Sequence, residues 1–224
     1  MKRLFTWIYR TNAWAGWQSR SGRGSSMDET AAVRECFPDL VRHNNIRSIL
    51  DIPCGDFAWM KHTSLELDHY IGADIVSAIV SNNLAQFKRE HHPVRDFQLL
   101  DLTRDVLPCA DAVLCRDCLV HFSNEDIFKA LIRIQKSDST FLLTTSFREQ
   151  QHNKDIVTGW WRPLNLELAP FNFPEPLEVI DERCQLRRGA YPDKSLGLWR
   201  IADLPEFGSD KIADYQGSSE VERK

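Results

Sequence analysis

From residue 46 onward the chain alternates short β-branched apolar runs with helix-like stretches, and that rhythm constrains its fold more than any other feature of its 224 residues. Runs at 46–51, 69–74, 96–101, 111–115 and 140–146 read as strands. Helical spacing fills 77–89 and 125–136, the latter behind a cap at Ser123 followed by Asp126. Such alternation predicts a parallel sheet with helices on both faces. Two later runs, 177–184 and 196–202, read as an antiparallel pair at its edge. The predicted class is α/β, a doubly wound, mostly parallel, seven-stranded sheet with an antiparallel C-terminal hairpin. Ligands of such a sheet sit beyond the carboxyl ends of its strands.

The remaining segments frame this core. Ser26 and Glu29 make a capping-box pattern ahead of Ala32, Val33, Cys36, Phe37, Leu40 and Val41, predicting a helix from Ser26 that Pro38 kinks or divides. Residues 148–176 hold Trp160, Trp161, Phe171, Phe173 and four prolines, and read as a lid or insertion. Residues 206–224, rich in Gly, Ser and charge, read as a flexible tail. One domain over 25–205 fits the length. A net charge of −4 supplies no basic excess to track a phosphate backbone, which disfavours bulk nucleic acid as a partner. The opening apolar run is broken at Thr6 and Arg10, too short for a signal peptide, and no stretch is apolar enough to cross a bilayer. A cytoplasmic protein without a membrane partner is expected, its six cysteines reduced.

The most informative segment is SILDIPCGDFAWM, residues 48–60, which reads as a strand, an acidic tip and a tight loop leading into a helix. Dinucleotide folds place glycines in this loop so that backbone N–H groups meet a pyrophosphate. Only Gly55 is present; Pro53 has no N–H, and Asp51 and Asp56 put negative charge where phosphates would lie. The loop suits a ligand that is cationic and free of phosphate, and S-adenosylmethionine fits. Asp74, roughly 20 residues on, stands where a carboxylate accepts from ribose hydroxyls. Asp101 ends the third predicted strand, positioned for an adenine amino group with Leu102 packing on the ring, and Asp117 follows the fourth. Each has a plainer reading: Asp51 as a helix cap, Asp74 as a solvated turn residue. Together they form one acidic rim.

The motifs LDIPCGDF (50–57), YIGADI (70–75), LDL (100–102) and RDCLVH (116–121) resemble those of the class I S-adenosylmethionine-dependent methyltransferases, over about residues 25–203. The likeness is greatest to a bacterial branch with a PCGDF loop and a downstream DKSLGLW segment, here 193–199. Pro53 and Phe57 occupy the outer positions of that family's glycine motif. The resemblance implies a Rossmann-like methyltransferase fold and a cofactor site comprising Asp51, Pro53, Cys54, Gly55, Asp74, Ile75, Asp101, Leu102 and Arg116. It further implies that residues 1–24 cover the cofactor, with Arg20, Gly24 and Ser25 matching a polar loop over the methionine moiety.

His121 is the candidate general base, because imidazole titrates near neutrality and the loop after the fourth strand faces the methyl group in this fold. Asp117 is its competitor, and a lone histidine is more often structural. Trp160, Arg162, Asn165 and Asn172 are candidates for substrate binding, or else pack beneath the lid. Cys115, Cys118 and His121 lack the fourth ligand zinc requires, and the pair sits after the wrong strand for thioredoxin-like chemistry, so no metal is expected. The reading is methyl transfer to a small-molecule, glycan or peptide-like acceptor. A nicotinamide oxidoreductase and a non-catalytic cofactor binder are the rivals.

Overall fold

The computed structural model describes residues 1–208. Strands β1 (Ser48–Asp51), β2 (His69–Asp74), β3 (Val94–Leu99), β4 (Ala112–Cys115), β5 (Phe141–Phe147), β6 (Glu178–Asp181) and β7 (Lys194–Arg200) form one sheet in the order β3-β2-β1-β4-β5-β7-β6. All pairings from β3 to β5 are parallel; β7 runs antiparallel to both β5 and β6. The predicted mixed sheet is thus present, with β7 inserted between β5 and an edge strand β6. Chain order reverses between β1 and β4, which opens a crevice at their carboxyl ends.

Alternating side chains divide the core between the two faces. Leu50, Val113 and Leu142 point to one face, where Ile127, Phe128, Leu131 and Ile134 of helix α4 (Asn124–Gln135) cover them. Ile49, Leu114 and Leu143 point to the other, against Val33, Phe37, Leu40 and Val41 of helix α2 (Ala31–His43). Helix α3 (Ser77–Phe87) packs along β2 and β3. The α4 cap is as read: Ser123 Oγ accepts from the Asp126 N–H at 3.2 Å. No helix among the described residues is long and apolar enough to cross a membrane.

Several local expectations give way. Helix α2 begins at Ala31, because Ser26 to Thr30 close a preceding turn through Thr30 N–H and Oγ to the Ser26 carbonyl. Pro38 lies within α2 without dividing it. β3 ends at Leu99, so Asp101 belongs to the following turn, where it accepts from Thr103 N–H and Oγ. The loop after β1 leads to a short 3-10 turn (Met60–His62) and no α-helix, since Phe57, Trp59 and Met60 are drawn into the core. Asp51 therefore caps nothing. At the amino end lies a ten-residue helix, α1 (Lys2–Thr11), for which the sequence reading made no assignment.

Residues 148–176 are packed in place. Leu164, Leu166, Phe171 and Phe173 are buried, with Phe171 5.4 Å from Phe128 of α4 and Phe173 5.4 Å from Trp199 of β7. Phe207, which the sequence assigned to a frayed tail, is buried against both Phe128 and Phe173. The rest of that tail, 209–224, lies outside the described residues. Phe171→Ala should cost about 3–5 kcal/mol in urea unfolding, the range for deleting a buried ring. A loss under about 1 kcal/mol would mark the segment as a loosely held flap.

Candidate active site

The loop after β1 is held by its own polar atoms. Cys54 N–H donates to the Ala73 carbonyl at 2.8 Å, and Asn83 of α3 donates to the Gly55 carbonyl at 2.8 Å. Gly55 has φ of 54°, and a Cβ there would collide with Ser21 Oγ, so both conformation and space require glycine. Its N–H donates to Asp74 Oδ2 at 3.2 Å, while Val76 N–H donates to Oδ1 at 2.8 Å. Asp51, also buried, accepts from the Tyr70 hydroxyl. Burial raises the Asp74 carboxyl to about 6 against these backbone donors. Asp51 is pushed to about 7 by burial, with the Tyr70 hydrogen bond opposing and the nearby Asp74 charge adding to the shift.

Residues 1–25 close over this loop. Asp56 Oδ1 accepts from Ser19 Oγ at 2.8 Å and Asp56 Oδ2 from Arg20 N–H at 2.9 Å, while Ser21 Oγ accepts from Asp56 N–H at 3.0 Å. Asp56 thus fastens the amino-terminal segment to the strand tips. A second fastening lies beyond β4. Arg116, buried, donates two hydrogen bonds to Glu182 at 3.1 and 2.6 Å and a third to the Gly24 carbonyl at 3.0 Å. Lys194 of β7 reaches Asp117 at 2.7 Å and Glu182 at 3.0 Å. A Cβ on Gly24 would stand 2.7 Å from Asp117 Oδ2, so this strap position also needs glycine. Lys194 and Arg116 outweigh burial and hold the Asp117 carboxyl down at about 2.

Between strap and strand tips lies a cavity of about 1020 Å³, measured out to solvent. Arg20, Ser25, Asp51, Pro53, Cys54, Gly55, Asp74, Ile75, Asp101, Leu102, Arg116, Asp117 and His121 all line it. The acidic residues read from separate strands therefore meet in one hollow. Arg116 reaches its wall, but its guanidinium is committed to Glu182, Gly24 and Asp117. His121 donates from Nδ1 to the Trp160 carbonyl at 2.9 Å, since a carbonyl can only accept, and stacks on Trp14 at 4.6 Å. Burial lowers its pKa below 6.5, against the Trp160 hydrogen bond and Asp117.

The four expected substrate residues stand apart from the cavity lining. Arg162 is buried and braces Leu119 and Lys154 carbonyls and the Asn124 side chain. Asn165 ties the Arg148 and Gln150 carbonyls. Trp160 and Asn172 face outward. The Arg162 and Asn165 side chains brace residues 148–176. Sequence reasoning missed Phe5, Tyr9, Trp14, Trp59 and Phe122 on the cavity wall, and Glu182 and Lys194 behind it. A signal existed for three of them: Phe5 and Tyr9 recur at helical spacing, and the lysine at 194 opens a largely apolar strand.

No family model and no curated protein matches the sequence. Solved structures do. Over 86% of this chain and 88% of the other, it aligns with 1,6-didemethyltoxoflavin-N1-methyltransferase of Burkholderia thailandensis, at 15% identity and a TM-score of 0.57. Human N-acetylserotonin methyltransferase aligns over 88% of this chain at 18% identity and a TM-score of 0.55. The chain has the class I methyltransferase fold. It spans 58% of the human enzyme's length. At these identities the likeness extends to the fold alone, and the sheet order found here is that of the fold.

Within this methyltransferase fold the pH response follows from the buried acids. Asp51 and Asp74 bind protons more tightly folded than unfolded, so their contribution is full below about pH 4 and is lost as pH rises through 6 and 7. Unfolding free energies from urea titration should fall over that window, by on the order of 3 kcal/mol per carboxyl. Asp51→Asn and Asp74→Asn should flatten the slope; an unchanged slope in both variants would refute the assignment. Asp117 acts oppositely, its stabilisation lost as pH falls from about 4 through 2.

Proposed function

We propose that this chain binds S-adenosylmethionine in the cavity and transfers its methyl group to a small-molecule acceptor. The observation that carries the reading is the disposition of the loop after β1. Its one glycine N–H is turned into Asp74 and Pro53 has none, so a pyrophosphate would find no amide cradle. Three carboxylates, Asp51, Asp74 and Asp101, face the same hollow instead. That set of acceptors fits a phosphate-free adenosine derivative with positive charge. The human enzyme's structure is a complex with S-adenosylmethionine and the bacterial one's holds S-adenosylhomocysteine, in keeping with this reading.

When bound, the cofactor would supply a methyl group made electrophilic by its sulfonium. In this reading Asp74 accepts from the ribose hydroxyls and Asp101 from the adenine amino group, with Ile75 and Leu102 packing on the base. Pro53, Cys54 and Gly55 shape the floor under the amino-acid end, near Asp51. Arg20, which forms no ion pair among the described residues and lies 5.8 Å from the Tyr9 ring, meets the carboxylate, and Ser25 closes the same end. Arg116 positions the strap and does not touch the cofactor. Positioning of this kind raises the effective concentration of the reacting pair. Water is kept out by the strap.

His121, not Asp117, is the base of the proposed reaction. Two cations keep Asp117 ionised to low pH, which makes its carboxylate a weak proton acceptor. His121 has its Nδ1 proton fixed by Trp160 and a depressed pKa, which leaves Nε2 with a lone pair at neutral pH.

Calorimetric titration should give micromolar S-adenosylhomocysteine binding, on the order of −8 kcal/mol, lost in Asp74→Ala. Tight NADH binding with no response to S-adenosylhomocysteine would overturn the reading. With an acceptor in hand, His121→Gln should lower kcat by about 10²-fold or more. The wild-type rate should fall as pH drops through the depressed His121 pKa, below the ordinary imidazole range, and the variant's should not. Wild-type-like turnover in the variant would exclude His121 as base.

A further inference from the structure

The two ends of the cavity differ in chemistry. Beneath β1 and β2 it is acidic. Beyond β4 its lining includes Phe5, Tyr9, Trp14, Phe122 and His121, beside Arg116, Asp117 and Cys118. Phe5 and Tyr9 lie four residues apart on α1, hence on one face of the helix. The Phe5 ring stands 6.0 Å from Trp14 and 6.0 Å from Phe122, so α1, the strap and the turn after β4 contribute to a single aromatic wall. Charges at this end are matched internally, Asp117 by Lys194 and Arg116, and Arg116 by Glu182. The polar atoms carried by this lining are His121 Nε2, the Tyr9 hydroxyl and the Trp14 indole N–H, while His121 Nδ1 is committed to Trp160 and one of its ring faces to Trp14.

We propose that the methyl acceptor is a planar, uncharged aromatic or heteroaromatic small molecule, its ring held among Phe5, Tyr9, Trp14 and Phe122 and its hydroxyl or ring N–H directed at His121. The proposal rests on the methyl-transfer reading above. Rings gain offset and edge contacts from such walls beyond the area they bury. A sugar would bring more hydroxyls, and a peptide more N–H and C=O groups, than these three ring-borne polar atoms can pair, and each unpaired group is penalised. The strap is fastened across the hollow at Asp56 and at Arg116. In the transfer, the acceptor's oxygen or nitrogen lone pair forms the bond to the methyl carbon and the sulfur–methyl bond breaks, its electron pair returning to sulfur. The acceptor's proton passes to His121 Nε2 and from there to water.

The test uses the full chain saturated with S-adenosylhomocysteine. Calorimetry compares 7-hydroxycoumarin, 4-hydroxyquinoline and 5-hydroxyindole with glucosamine, galactosamine and N-acetyl-trialanine amide. At least one fused-ring compound should bind about tenfold tighter than every sugar and peptide, and should take up label from methyl-labelled cofactor. Phe5→Leu and Trp14→Leu should weaken that binding about tenfold while shifting S-adenosylhomocysteine affinity by less than about twofold. A sugar or peptide that binds as well as the best ring compound overturns the proposal. So does ring binding indifferent to both substitutions. If wild type takes up no S-adenosylhomocysteine, the underlying methyl-transfer reading fails as well, and that first titration reveals it before any acceptor is added.

Discussion

The arrangement of the site depends on four charges taken almost wholly out of water. Arg116 at the tip of β4, Glu182 just past β6, Lys194 at the start of β7 and Asp117 in the turn after β4 alternate in sign and sum to zero. Burying any one alone would be prohibitive, and their mutual attraction with full hydrogen bonding is what makes burial tolerable. The cluster joins elements that sequence separates: the parallel half of the sheet, its antiparallel edge and, through the Gly24 carbonyl, the amino-terminal strap. Asp117 adopts φ of 52° within it, a conformation the surrounding ion pairs and the Thr145 hydroxyl bond to its N–H fix in place. The aromatic end of the cavity is assembled around this neutral knot.

Much of the fold was legible because a doubly wound sheet writes itself in local pattern. β2 matched its expected bounds, and β4 reads as a continuous apolar run because both its faces are covered. The cap at Ser123 was legible for the same reason, since its hydrogen bond closes within three residues. Errors gathered where tertiary contacts overrule local signals. Phe57 and Trp59 follow a strand in what looks like a helix start, yet burial of their rings against α2 and β2 takes the chain through turns. The Ser26 and Glu29 pattern does make its hydrogen bond, 3.3 Å from Glu29 N–H to Ser26 Oγ, but in a turn ahead of the helix.

The site was legible in its acidic half and opaque in its aromatic half. Asp51, Asp74 and Asp101 sit at or just past strand ends, where topology alone brings them together. Phe5, Tyr9 and Trp14 reach the cavity because the strap folds back about Asp56, and pairing between residues 19–21 and 56 leaves no trace in local spacing. Conversely, Trp160, Arg162, Asn165 and Asn172 look like a binding surface by composition. Arg162 and Asn165 are instead what a segment without regular structure needs internally, side chains that satisfy its backbone carbonyls.

The strap contributes little to the two cores: Ile8 is the only fully buried residue of α1, and the sheet's faces are covered by α2, α3 and α4. Dryness and durability are therefore assigned to different parts of one chain. A shortened protein starting near residue 26 would keep its architecture and lose its roof, turning a sheltered hollow into a wet trough in which buried carboxylates regain ordinary acidity.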